Sequence, residues 1–389
     1  MSREAVAGSD GRGDCVVRVS AAKSLKITVR CGNPPLLEPG IRAVAERTAE
    51  AAGVSGAAIE IADSGALDFV LSARVEAALR EAVDGATAIG VAPQRKPSRR
   101  DRLRRSRLYS PGNNPRLLLG IEMHGADCLL FDLEDAVPPA EKAAARVLVK
   151  HLLATVTMDA EAWVRINPLD AGGGEDLVEV IPARPHGVCL PKAEDGDDVR
   201  AVAERIAALE DEAGLEAGLV WILPIVETAR GTLHAEEIAA ADPRVVSLAF
   251  GAEDYLRDTG ARRSWEALLW PRAQLLAAAR SAGVQASDTV YSNVDDDDGL
   301  RSETCAVRDL GFDGKGAIHP RQVPILHDAF APSEEEVDRA RRIVAAAEEA
   351  EAQGIGAVTV DGRMVDRPVV DRARRTLALA DGTEGGGSR

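Results

Sequence analysis

Cys128-Leu129-Leu130-Phe131-Asp132-Leu133-Glu134-Asp135 is an apolar run that breaks off abruptly into three acids. A short, continuously apolar segment predicts a strand covered on both faces, here Cys128–Leu133, and its acids would open onto a polar rim. Similar text recurs on either side. It predicts further strands at Arg107–Ser110, Ala162–Ile166, Gly187–Leu190, Val220–Val226, Val245–Phe250, Thr289–Tyr291 and Gly316–Ile318. Helical spacing separates most of them, at Glu141–Leu153, Asp197–Ala213, Ser264–Ala282 and Leu300–Leu310. Eight strands alternating with helices over roughly 220 residues match an α/β chain folded as a (β/α)8 TIM barrel. The alternative, a doubly wound sheet, lacks a Gly-x-Gly-x-x-Gly after its first strand. A helix at Ser333–Gln353 and a tail at Gly356–Leu379 follow, as a lid or an arm toward a neighbouring subunit.

Barrel enzymes carry their chemistry at the C-terminal ends of the strands. Reading those positions collects Asp132, Glu134 and Asp135, then Arg165 and Asn167, Lys192, Glu227, Glu253 with Asp254, and His319. Carboxylates converging without a Cys or His cluster favour a hard ion, Mg2+ or Mn2+, over zinc. A fixed arginine fork suits an anionic carbonyl or carboxylate oxygen, so metal plus Arg165 points to carbon–carbon chemistry beside a carbonyl. Asp295–Asp298 reads as a solvated loop. His319 and His327 have nothing that pairs them as ligands, and Gly172-Gly173-Gly174 lacks the Lys-Ser or Lys-Thr of a phosphate loop.

The first 85 residues read as a small α+β domain. Its strands are predicted at Cys15–Ser20, Leu25–Cys31 and Ala57–Ala62, and its helices at Leu37–Ala52 and Val70–Val83. A basic linker, residues 86–103, separates this domain from the barrel at 104–330 and from the C-terminal helix and tail at 331–389. Its run Gln94-Arg95-Lys96-Pro97-Ser98-Arg99-Arg100 reads as a solvated tether held off both domains by its own repulsion, with a grip on a ligand's phosphates as the alternative.

The 389 residues carry a net charge of −16, which argues against nucleic-acid and membrane-surface partners. No apolar stretch is long enough to span a bilayer, and the first residues lack a signal-peptide core. Five scattered cysteines without a Cys-x-x-Cys predict reduced, mostly buried thiols in a cytoplasmic protein.

The stretches Arg105-Ser106-Arg107-Leu108-Tyr109-Ser110-Pro111-Gly112-Asn113, Phe131-Asp132-Leu133-Glu134-Asp135, Val164-Arg165-Ile166-Asn167-Pro168, Leu190-Pro191-Lys192, Gly251-Ala252-Glu253-Asp254-Tyr255 and Asp361-Gly362-Arg363-Met364-Val365-Asp366 together carry a resemblance. Over about residues 103–380 the chain resembles the citrate lyase β-subunit group of the HpcH/HpaI aldolase family. The resemblance implies a Mg2+-dependent barrel enzyme, usually a trimer, acting on β-hydroxyacyl thioesters such as citramalyl-, malyl- or citryl-CoA. It implies Glu227 and Asp254 as metal ligands, Arg165 as the oxyanion holder, and Glu134 with Asp135 as acids orienting metal-bound water. Arg105, with Lys192 beside the site, would serve the CoA-type arm. Asp366 would come from a neighbour's tail as acid or base.

Ala5-Val6-Ala7-Gly8 and Asp63-Ser64-Gly65-Ala66-Leu67-Asp68 are similar to the acyl carrier (γ) subunit of citrate lyase. That subunit bears its arm on a serine two residues before an Asp; here the Asp is Asp14 and the serine's place holds Arg12. An arginine cannot be esterified, so the thioester is expected as a free CoA ester or on a separate carrier, with a transferase subunit as a further partner. The products of cleavage would be an α-keto acid and an acyl thioester. A malyl-CoA-type thioesterase on the same site, or a non-catalytic scaffold relic, are the other readings.

Overall fold

The structure is a computed structural model and describes residues 4–92, 96–352 and 358–384. Pro93, Gln94 and Arg95 of the basic run, the predicted helix end at Gln353 and the start of the tail at Gly356 lie outside them.

The N-terminal domain runs β1 (Glu4–Ala7), β2 (Cys15–Ala21), β3 (Lys26–Arg30), α1 (Pro34–Ala51), β4 (Ala57–Asp63) and α2 (Asp68–Ala82). Its sheet has the order β1-β2-β4-β3, with β3 and β4 parallel and the other pairs antiparallel. Alternation of buried and outward residues in β2 and β4 puts Val17, Val19, Ile59 and Ile61 against both helices. Edge strand β1, four residues long, was not predicted. Gly8 follows it at φ +86, where a Cβ would strike the Cys15 carbonyl oxygen at 2.0 Å.

Eight parallel strands then close on themselves: β5 (Ser106–Pro111), β6 (Cys128–Asp132), β7 (Glu161–Arg165), β8 (Gly187–Leu190), β9 (Trp221–Val226), β10 (Ser247–Phe250), β11 (Gln285–Asp288) and β12 (Gly314–Ala317). Pairing of Pro111 with Asp132 and of Asp132 with Arg165 sets the rim, and pairing of Gly316 with Arg107 closes the ring. Between the strands run α3 (Pro115–Leu118), α4 (Lys142–Thr155), α5 (Gly173–Val180), α6 (Gly196–Glu212), α7 (Ala229–Leu233), α8 (Ala235–Ala240), α9 (Ala252–Thr259), α10 (Trp265–Ser281), α11 (Asp297–Leu310) and α12 (Gln322–Phe330). The chain ends with α13 (Glu334–Ala352), a hairpin of β13 (Val358–Val360) and β14 (Arg363–Val365), and α14 (Arg367–Glu384). No helix among the described residues is long and apolar enough to cross a membrane.

The eightfold α/β barrel and the preceding small domain are as expected, but the last two strands shift. The seventh is Gln285–Asp288, not Thr289–Tyr291, and the eighth starts two residues earlier than predicted. Strand propensity favoured Thr-Val-Tyr over Gln-Ala-Ser-Asp. The polar segment wins because Asp288 neutralises Lys315 and Arg272 in the layer between barrel and helices, at 2.6 and 2.8 Å.

The basic stretch is not a free tether. Arg100 donates to the carbonyls of Pro243 and Val245 at 2.8 and 2.9 Å, and Arg102 to that of Asp159 at 2.6 Å. Arg104 is fully buried against Glu161, the first residue of β7, at 2.7 Å. These arginines plug the N-terminal mouth of the barrel, where carbonyls and one inward carboxylate need donors.

The N-terminal domain is likewise docked. Phe69, Val70 and Ala73 of α2 join the barrel's core. Behind them, the wholly buried Glu76 accepts from Lys150 and meets His151 Nε2, both at 2.6 Å, while Glu179 holds Lys150 at 2.7 Å and Arg80 at 2.8 Å. Burial alone would raise the Glu76 carboxyl, but the His151 bond and the Lys150 charge outweigh it and bring it down to about 2. Burial likewise works against Glu161, and Arg104 outweighs it there, also to about 2. Both groups bind protons less readily folded than unfolded, so their stabilisation is full above the ordinary carboxylate range and is lost as pH falls from about 4.5 toward 2. Chemical denaturation across that window should show a loss of about 3 kcal/mol for each group. Glu76→Gln should remove the share of the docked domain. A flat stability profile down to pH 3 would contradict this.

Candidate active site

The C-terminal ends of the strands surround a cavity of about 520 Å3. Arg165, Glu227, Asp254, Asp132 and Asp135 line it, as the rim reading expected, and so do Arg107 and Tyr109, which that reading passed over.

Glu227 follows β9 and is 3% exposed. Its Oε1 accepts the backbone N–H of Lys192 at 2.8 Å. Lys192 has φ +51, a left-handed turn at the end of β8 that aims this N–H across the mouth. Gly251 gives Glu227 its place, because a Cβ there would lie 2.3 Å from Oε2. Burial first, and then the charge of Asp254, push the Glu227 carboxyl up to about 8. Asp254 sits in the first turn of α9. Its buried Oδ1 lies 2.5 Å from the exposed Arg257 but outside hydrogen-bond geometry, which leaves that oxygen without a proper donor.

Arg165 ends β7 and is clamped. Nε and Nη2 donate to the two oxygens of Asp132 at 2.8 and 2.5 Å, Nη1 lies 2.9 Å from Glu134, and the guanidinium stands 5.6 Å over the Tyr109 ring. Burial would lower its pKa, but the Asp132 bonds and charge carry it above its ordinary value. Asp132 is a positioning residue, a role that the rim reading did not give it. Its signal was present in the acid-terminated β6, but the strand register that brings it opposite Arg165 was not. Glu134 is buried and ion-paired with Lys192, and burial raises its pKa despite Arg165 and Lys192 nearby. Asp135 is mostly exposed, 4.0 Å from Lys192.

Arg105 falls elsewhere, and Asp366, expected from a neighbour's tail, lies away from its own chain's cavity. Arg105 precedes β5, so it lies at the opposite end of that six-residue strand from the rim and does not line the cavity. There its side chain and backbone N–H grip Asp127 at 2.8–2.9 Å, beside His327, which bonds Ser106. A place near the thioester's arm is therefore corrected to a structural one, because strand direction separates residues that adjoin in sequence. Asp366 caps α14, accepting from Val369, and belongs to a separate cavity between α13 and α14 rather than to its own chain's barrel mouth. His319 is exposed and caps a turn at Arg321. All five cysteines are unpaired; burial pushes the Cys189 thiol up to about 12, so it is no nucleophile.

Among the described residues no three acidic, His or Cys side chains gather as a metal cluster. The donor set still fits a hard divalent ion. Two carboxylates stand at one mouth, one with a buried oxygen that lacks a proper donor and one whose ionised form burial disfavours until a cation offsets it, and the remaining positions are left to water and substrate oxygens.

In the N-terminal domain, Arg12 is exposed on the loop between β1 and β2. Asp14 is saturated by Arg74 (3.0 Å), Ser9 and the Cys15 N–H, and Arg74 reaches the barrel at the Asn113 carbonyl.

A closed parallel barrel with an arginine and paired carboxylates at its C-terminal mouth defines an enzyme of the aldolase and lyase type. Residues 105–320 match the family model HpcH/HpaI aldolase/citrate lyase, and the chain belongs to that family. Residues 2–82 match a second model, described as malonate decarboxylase delta subunit. The citrate lyase subunit beta of Haemophilus influenzae is 44% identical over 72% of this chain and 97% of its own length. A (3S)-malyl-CoA thioesterase of Cereibacter sphaeroides is 38% identical over 71% of this chain and 94% of its own. Among solved structures, the protein CitE of Mycobacterium tuberculosis in complex with magnesium, acetoacetate and coenzyme A aligns with a TM-score of 0.61 at 33% identity, over 73% of this chain and all of that one.

Proposed function

We propose that this chain is a Mg2+-dependent carbon–carbon lyase that cleaves or forms a β-hydroxyacyl thioester, with an α-keto acid and an acyl thioester as the other side of the reaction. The observation that carries the reading is the convergence of Glu227, Asp254 and the clamped Arg165 on one cavity. Citrate lyase β subunits among the relatives and keto acids bound with magnesium in CitE support it.

Glu227 and Asp254 would hold the ion, whose charge would polarise the keto group and its carboxylate. Arg165, fixed by Asp132 and Glu134, keeps its guanidinium edge in place without reorganisation. In the cleavage direction a base takes the β-hydroxyl proton, the Cα–Cβ bond breaks, and its electron pair moves onto the thioester carbonyl. Arg165 donates to the oxyanion so formed. A proton then returns to Cα, completing the acyl thioester. Asp366 of another copy is the candidate base, since each chain holds its own Asp366 away from its own cavity; that assignment requires a homo-oligomer, and the resemblance favours a trimer or hexamer. Glu134 and Lys192 keep the rim charge balanced.

Because Arg12 stands where a carrier would need serine, and the buried Glu76 network pins the module, the thioester is supplied as free CoA ester or on a separate chain. The test is a panel of hydroxyacyl-CoA esters with Mg2+, scored for keto acid. Keto acid is the expected product. Free thiol without keto acid would favour the thioesterase reading, which the malyl-CoA thioesterase relatives keep open. No product from any ester would fit the scaffold reading instead.

A further inference from the structure

Seven Lys and Arg side chains are buried among the described residues: Arg74, Arg104, Arg107, Lys150, Arg244, Arg272 and Lys315. Six of them sit against a carboxylate at 2.6–3.0 Å. Arg107 is the exception. It is 2% exposed, projects from β5 into the barrel, and donates from Nη2 to Ser247 Oγ at 2.9 Å. Its Nε and Nη1 have no partner, and no ion pair reaches it among the described residues. Ser247 and Ser287 are neutral, and Gly316 adds no side chain to the cavity wall, where a Cβ would come 2.7 Å from Val290 Cγ1. A guanidinium left uncompensated in such a place destabilises the empty protein. It lines the same cavity as Arg165 and Glu227, but four residues earlier on its strand than the rim residue Pro111.

We infer that Arg107 forms a second anion site on the cavity floor, and that it selects α-keto acids whose far end carries a carboxylate, together with the hydroxyacyl thioesters made from them. The inference rests on the lyase reading above and extends it to the half of the substrate that does not react. An acid ending in methyl would leave Nε and Nη1 unpaired. A distal carboxylate accepts from both in the fork geometry that guanidinium offers.

The test is calorimetric binding of pyruvate, oxaloacetate and 2-oxoglutarate to the full chain in Mg2+, repeated with Arg107→Met and Glu227→Gln. Wild type should bind one of the two dicarboxylic acids about 10–100-fold more tightly than pyruvate. Arg107→Met should bring that ratio within about threefold. Its thermal midpoint without ligand should hold or rise, because an unpaired buried charge is gone; a residue needed only for packing would lower it. An unchanged ratio in Arg107→Met overturns the assignment, and so does a wild type with no preference, which needs no variant to fold. Glu227→Gln separates the two readings. If it keeps all three acids bound while the preference persists, the metal site fails and Arg107 stands; if it loses them all, the metal site holds and the ratio alone judges Arg107.

Discussion

Glu227→Ala should lower turnover of the productive hydroxyacyl-CoA ester by at least about 10²–10³-fold, the usual cost of removing one preorganised electrostatic contact from an active site. The loss should not come from unfolding. Glu227 is a buried carboxylate whose partners are one backbone N–H and another acid, so it contributes little to holding the empty barrel together. Replacing it with Gln keeps an acceptor for the Lys192 N–H and removes the repulsion with Asp254. The ligand-free thermal midpoint of Glu227→Gln should therefore equal or exceed that of wild type, while the stabilisation by added Mg2+ disappears. A fully active, correctly folded Glu227→Ala protein would refute the site assignment.

The second large effect concerns stability alone. Asp288→Ala should cost about 3–5 kcal/mol, because it leaves Arg272 and Lys315 buried with only the partly exposed Glu303 between them. For a domain of this size that is a fall of roughly 6–20 °C in thermal midpoint. The geometry supports the upper half of that range. Arg272 and Lys315 have fully buried side chains, and Arg272 is further held 4.9 Å over the Trp265 ring, so neither can turn to solvent without opening α10 or the last strands. A loss below about 1 kcal/mol by urea titration would show that water reaches the pair.

The same network explains where reading the sequence stopped. Strands such as Cys128–Asp132 and Gly187–Leu190 are apolar on both faces, and one-dimensional text reveals them. Gln285–Asp288 is polar and still a central strand, since its charge is cancelled by residues 16 and 27 positions away. No local pattern records such a pairing. The site divides in the same way. Arg165, Glu227 and Asp254 could be picked out because each ends or follows an apolar strand. Asp132 as the clamp of Arg165, and Arg107 as a lone cation, required the register across β5, β6 and β7. Arg105 was misplaced because adjacency in sequence says nothing about which end of a barrel a residue faces.

Taken alone, the order of residues determined the architecture, the separate N-terminal module and the rim of acids, while the missing attachment serine came from the resemblance to the carrier subunit. Each of the first three is a matter of composition or short-range periodicity, which backbone geometry converts directly into strands, helices and their ends. Tertiary structure decided which charges meet. It turned the basic run into a plug, locked the module onto the barrel through Glu76, and left Arg107 without a counter-ion. Electrostatic energy in a buried layer depends on distances of a few ångströms between residues far apart in the chain, and only the closed barrel sets those distances.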